Sequence, residues 1–151
     1  MGTILNRGDL ISTVRRQRSA GKKIVFTNGC FDLIHIGHVR CLRAAKEYGD
    51  VLVVGLNSDR SVSLIKPERP VMPQAQRAEV LASLETVDYV AIFDEETPYE
   101  LIKLLQPDVL VKGGDWKKEE IVGFDIVKET FSIPYIQGIS TTKIIEKIKK
   151  L

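Results

Sequence analysis

Apolar, mostly β-branched runs alternate with stretches of helical period along this chain. The runs Lys23–Thr27, Val51–Leu56, Tyr89–Phe93, Val109–Lys112 and Ile133–Ile136 predict strands. The segments Asp9–Ser19, Gly37–Tyr48, Pro73–Leu84, Pro98–Leu105, Glu119–Phe131 and Thr141–Lys150 predict helices. Val51-Leu52-Val53-Val54 is apolar at every position, the mark of a strand covered on both faces. Regular alternation of such strands with helices predicts a doubly wound α/β fold with a parallel sheet. We expect one domain over residues 1–151, with residues 1–20 as a helical extension. The longest irregular stretch is Asn57–Met72, which holds Pro67, Pro70, Arg60, Lys66 and Arg69. Long loops of this kind are usually mobile or functional.

In open parallel sheets, ligands bind beyond the carboxyl ends of the strands, where the winding reverses. Both histidines of the chain follow the first long strand, in His35-Ile36-Gly37-His38. Gly37 lets backbone approach a ligand, and His38 falls in a first helical turn, where free N–H groups favour anions. The window is therefore expected to hold phosphates. Metal binding is the weaker expectation, because no third histidine exists and only Asp32 is at hand. A second glycine turn, Gly138-Ile139-Ser140-Thr141-Thr142-Lys143, opens onto the last helix. Alone it reads as ordinary capping; beside the histidines it reads as a second phosphate cradle. Lys112 precedes Gly113-Gly114-Asp115-Trp116 at a strand end and should face the ligand crevice, with Asp115 and Trp116 near a base or sugar.

Composition narrows the partners. A net charge of +2 gives no bulk attraction to nucleic acid or to a membrane surface. No apolar run approaches the ~18 residues of a membrane span, and the N-terminus lacks a signal-peptide core. Cys30 and Cys41 have no metal-ligand spacing and read as reduced thiols of a cytoplasmic protein. The glycine-lysine signature of a P-loop and the glycine fingerprint of dinucleotide-binding dehydrogenases are both absent.

The segment Asn28–His38, ending in His-Ile-Gly-His, resembles the first signature of the cytidylyltransferase-like nucleotidyltransferases. Gly138-Ile-Ser-Thr-Thr142 resembles their second, in the same order. Val54–Asp59, Arg69-Pro-Val, Gln76-Arg77, Leu84–Val90, Thr97-Pro98 and Pro107–Trp116 narrow the resemblance to the heptose-1-phosphate adenylyltransferases, over roughly Gly21 to Lys150. The resemblance implies a Rossmann-like fold and transfer of AMP from ATP to D-glycero-β-D-manno-heptose 1-phosphate, giving ADP-heptose for the lipopolysaccharide core and pyrophosphate. It implies in-line attack on the α-phosphorus, Mg²⁺ carried with ATP, a homodimer, and a separate or fused heptose kinase.

By the same resemblance, His35, His38 and Lys46 are expected to be catalytic. Thr27, Asn28, Gly29, Cys30, Phe31, Gly37, Lys112, Gly113, Asp115, Ser140, Thr141 and Thr142 are expected to bind the nucleotide. Asp32, Asn57, Arg69 and Arg77 are assigned to the sugar phosphate, with Asp32 alternatively orienting a histidine or helping to hold the metal. No residue is assigned to a resident metal. The alternatives are a CTP-dependent glycerol-3-phosphate cytidylyltransferase, a silent nucleotide-binding regulator, and a nucleic-acid binder using Arg60, Lys66 and Arg69. The related CTP enzymes carry an arginine before the second signature, where this chain has Tyr135-Ile136-Gln137.

Overall fold

The computed structural model describes residues 1–151. They run β1 (Thr3–Ile4), α1 (Arg7–Ser19), β2 (Ile24–Gly29), α2 (Ile36–Lys46), β3 (Val51–Asn57), α3 (Asp59–Ile65) and α4 (Gln74–Ala82). Then follow β4 (Tyr89–Phe93), α5 (Tyr99–Leu105), β5 (Val109–Gly113), a 3-10 turn (Lys118–Glu120), β6 (Glu129–Ile133) and α6 (Thr141–Lys149). The strands form one parallel sheet ordered β1-β4-β3-β2-β5-β6. The chain winds outward from β2 through β3 to β4, then returns to the other side of β2 with β5. The switch point is thus the carboxyl edge between β2 and β5.

The expected doubly wound architecture follows from the burial pattern. Every residue of β3 is buried. Ile24, Phe26, Val51 and Val53 pack on one face against α1 and α5, through Leu10, Val14, Leu101 and Ile102. Val25, Leu52 and Val54 pack on the other against α2 and α4, through Leu42, Ala45, Ala78 and Leu81. Two apolar faces explain why these strands lack polar alternation. The N-terminal segment belongs to the same core: β1 pairs with β4, and Leu10 and Val14 of α1 are buried.

Two expectations are corrected. The helix predicted over Glu119–Phe131 is a 3-10 turn, a run of turns and the start of β6, so the strand predicted over Ile133–Ile136 lies four residues earlier. Gly123 sits at φ +94°, and a Cβ there would lie 2.9 Å from Ile102 Cδ1. The helix-like apolar spacing instead serves turns that bury Ile121 and Val127. Pro134 has no N–H for the ladder, and β6 stops before it. The second correction is α3, which occupies part of the stretch expected to be irregular. Ser58 caps it, its Oγ accepting the Ser61 N–H at 3.0 Å.

Thr130 of β6 is buried, and its hydroxyl has no hydrogen-bond partner. Replacing an unpaired buried hydroxyl by a methyl group should stabilise by about 1 kcal/mol. Thr130→Val is therefore expected to raise Tm by a few degrees in a thermal melt. A lowered Tm would mean that the hydroxyl has an acceptor in solution.

Candidate active site

The turn from β2 into α2 carries most of the chemistry. Phe31 adopts φ +42°, a left-handed conformation rare for an aromatic residue. Its ring centroid lies 5.3 Å from that of His38. His35 caps α2, its Nδ1 accepting the Gly37 N–H at 3.1 Å. His38 Nδ1 accepts the His35 N–H at 3.4 Å. The two imidazoles stack, with centroids 3.8 Å apart and planes 24° from parallel. A Cβ on Gly37 would stand 2.9 Å from His35 Nδ1 and Cε1, so this packing requires glycine.

A backbone N–H can only donate. Each Nδ1 is therefore an acceptor, and the proton of each neutral ring sits on Nε2. Two fixed Nε2–H donors stand at the first turn of α2, where His35 already takes the N–H groups of Gly37, His38 and Val39. Burial, the neighbouring His35 and the charge of Lys66 push His38 down to about 4. Burial also lowers His35. The folded protein thus refuses protons that the unfolded chain accepts as pH falls from 6.5 toward 4. The contribution of His38 to stability is complete above 6.5 and is lost through that window. Nitrogen NMR of the imidazoles should find both rings as Nε2–H tautomers at pH 7, with His38 titrating near 4. A midpoint near 6.5 would overturn the buried-donor description.

Two lysines converge on this turn. Burial lowers Lys112 at the end of β5, and the charge of Lys66 adds to the effect. Lys66 follows α3 and is close enough to depress both His38 and Lys112. Beside Lys112, a Cβ on Gly113 would lie 3.1 Å from Cys41 Sγ. Burial raises the Cys41 thiol, against the pull of Lys112. Both cysteines are free.

The start of α6 is tied to the same turn. Thr141 Oγ1 donates to the Leu33 carbonyl at 3.1 Å, and Ser140 Oγ caps the helix by accepting the Lys143 N–H at 3.1 Å. Arg69 reaches Thr142 Oγ1 at 3.4 Å and lies 3.8 Å from Asp32. The two signatures, over a hundred residues apart in sequence, therefore meet at one edge.

Several expected ligands have other work. Lys46 is corrected out of the site. It lies two turns beyond His38, at the far end of α2, ~12 Å along the helix axis. There its ammonium donates to the Asp50 carbonyl at 2.6 Å and pairs with Asp88, both at the amino edge of the sheet. Arg77 is only 1% exposed. It donates to the carbonyls of Met72, Cys30 and Asn57 at 2.9, 2.6 and 2.8 Å, and to Asp59 Oδ1 at 2.8 Å. Its fork joins three loops and has little left for a substrate. Asn57 is buried and donates to Ser61 Oγ at 2.9 Å. Thr27 is buried within β2, beneath the site. Asn28 and Gly29 end that strand, and Asp115 is exposed beyond β5.

Asp32 makes no hydrogen bond to either histidine. Its two oxygens accept the N–H groups of Val71 and Met72, each at 2.8 Å. It is a loop anchor, and it bears on Mg²⁺. Such an ion usually takes one or two protein carboxylates along with substrate phosphates. The nearest carboxylate here is spent on backbone, and nowhere do three His, Cys, Asp or Glu side chains converge. The chain's own groups do not fit a resident Mg²⁺. The edge is instead cationic, with Lys66, Lys112 and Arg69 around two imidazole donors, which suits a polyanion. Lys66 was visible in sequence only as one basic residue of a long loop. No helix is long and apolar enough to cross a membrane.

Comparison with known proteins agrees with this geometry. A cytidylyltransferase-like family profile matches residues 26–147. The bifunctional protein HldE of a Nitratiruptor species is 58% identical over 142 residues, 93% of this chain but 30% of that protein. The HldE of Wolinella succinogenes is 55% identical over 147 residues, 97% of this chain and 31% of its own length. The chain thus spans under a third of these relatives. A crystal structure of a lipopolysaccharide core biosynthesis protein from Thermoplasma volcanium superposes with a TM-score of 0.67 at 25% identity, over 78% of this chain and 100% of that one.

Proposed function

The chain belongs to the cytidylyltransferase-like family, and from that premise we propose that it transfers AMP from ATP to D-glycero-β-D-manno-heptose 1-phosphate, releasing pyrophosphate. The observation that carries the reading is the stacked His35–His38 pair, locked as Nε2–H donors at the switch point. A sugar-phosphate oxygen forms a bond to the α-phosphorus as the bond from that phosphorus to the bridging β-oxygen breaks. Charge accumulates on non-bridging oxygens and on the departing pyrophosphate. Fixed donors already aimed at that charge lower the barrier without reorganisation. His35, His38 and Lys112 are the groups we assign to it, with Lys66, Arg69, Thr141 and Thr142 around the β- and γ-phosphates. Mg²⁺ enters as part of the nucleotide substrate.

The choice of heptose rests on the local motifs around Val54–Asp59, Leu84–Val90 and Pro107–Trp116, and on similarity to the HldE proteins. In this reading the single domain works in the cytoplasm as a homodimer, with a heptose kinase, separate or fused, supplying its sugar phosphate. Pyrophosphate release is the test, with ATP or CTP offered against heptose 1-phosphate, glycerol 3-phosphate and phosphocholine. Release with ATP and heptose 1-phosphate alone is expected. Release with CTP and glycerol 3-phosphate would keep the histidine chemistry and overturn the substrate.

A further inference from the structure

The last helix is tied to its own subunit at one end. Thr141 Oγ1 donates to the Leu33 carbonyl and Arg69 reaches Thr142 Oγ1, both in the first turn of α6. No residue of α6 is buried, whereas α2, α4 and α5 each bury at least two. Its apolar stripe of Ile144, Ile145 and Ile148 is incompletely covered, and Ile148 is 57% exposed. Lys143 and Lys147 run along one flank of the stripe and Lys149 along the other. A surface that matches this helix in shape and charge exists on the same molecule. Between the start of α5 and the 3-10 turn lies an open cleft of ≈ 530 Å³. Val122 and Phe124 line it, 39% and 38% exposed, together with the carboxylates of Glu119, Glu120 and Asp125. Ile121 of the cleft belongs to the α1/α5 face of the sheet. Helix α6 starts beside Ile34, on the α2/α4 face, so it does not reach the cleft of its own chain.

Both features flank β6, the last strand of the sheet, with no further strand beyond it. A two-fold axis beside that edge brings each α6 to the cleft of the other copy, its isoleucines on Val122 and Phe124 and its lysines among the carboxylates. We infer that the cleft takes α6 of a second copy of this chain, and that the Ser140–Thr142 cradle is held in place only when this pairing forms. The inference rests on the homodimer of the proposed reading and deepens it, because it names the two surfaces and makes the nucleotide site depend on their contact. A helix of nine residues has little stability of its own. Seating its far end in a partner fixes the whole helix, and with it the hydroxyls at its start. Specific activity therefore rises with protein concentration as the dimer forms.

Sedimentation velocity over a concentration series, hydrogen exchange of the α6 amides and pyrophosphate release test this on the same samples. Ile148→Asp in the helix and Val122→Lys in the cleft should each weaken dimerisation about tenfold or more, the loss of a buried apolar side chain at each contact. Each should also speed exchange in α6 and lower pyrophosphate release at concentrations where the wild type is dimeric. For Val122→Lys that change appears in a helix its own chain does not bring near. Mixing the two variants should restore dimers, because an intact α6 of one then meets the intact cleft of the other. A dimer unaffected by either variant, or a mixture no more dimeric than its components, would overturn the inference. So would α6 exchange and specific activity that do not change with protein concentration. A basic amphipathic helix also suits anionic lipid. A monomer that binds phosphatidylglycerol vesicles through Ile148 would give the stripe to a membrane and overturn the pairing. If the copies pair and order α6 as described, but no nucleotide and sugar phosphate yield pyrophosphate, the enzymatic reading fails alone and the pairing stands.

Discussion

His38→Ala is expected to lower kcat by about 10²–10³ while changing KM for ATP little. The reason lies in the fixed geometry of the pair. Hydrogen bonding at Nδ1 sets the tautomer, and stacking on His35 holds the ring. The Nε2–H therefore meets transition-state charge without having to be oriented at the moment of reaction. Ground-state ATP keeps the lysines, Arg69 and the start of α6, so binding survives the loss. Steady-state kinetics on the purified variant decide the matter. A loss confined to KM would make His38 a uniform binding group and remove it from the chemistry. The pH dependence adds an independent check. Because His38 lies near 4 in the free protein, kcat/KM should show no inflection from this residue near 6.5.

The histidine pair was legible in the sequence because its spacing and its place after a buried strand are local properties. The doubly wound sheet was legible for a similar reason: strands covered on both faces must be apolar throughout, and β3 is. What stayed hidden depends on contacts between distant segments. The resemblance groups Lys46 with the histidines, yet eight residues of helix carry it ~12 Å from His38, and α2 delivers its last turn to Asp50 and Asp88 at the opposite edge of the sheet. Arginines in a loop and at a helix start look alike in sequence. One of them, Arg77, is buried only because three carbonyls from separate loops surround it. The misplaced last strand had a further effect. Centred on Ile133–Ile136, it put Tyr135 inside a strand, whereas β6 ends before Pro134 and leaves Tyr135 exposed beside Gly114.

Arg77→Met is expected to destabilise the fold by about 3–5 kcal/mol, the range for breaking a buried charged network. Methionine fills similar space but donates nothing, so the carbonyls of Cys30, Asn57 and Met72 lose their partner inside the protein. In a protein of this length each kcal/mol moves Tm by roughly 2–4 °C, so the drop should be on the order of 10 °C. Arg77→Lys keeps the charge, but a single ammonium cannot span carbonyls in several directions. It should fall between the wild type and Arg77→Met. The effect should also reach the chemistry, because Cys30 begins the turn that presents His35 and His38. Below its melting temperature, Arg77→Met should turn over more slowly, with the Nε2–H signals of the histidines broadened. A Tm within a degree or two of wild type would show that the three loops hold their places without the guanidinium. The turn between β2 and α2 would then owe its shape to Asp32, to the backbone of Phe31, to the Thr141 bond on Leu33 and to the His35 cap.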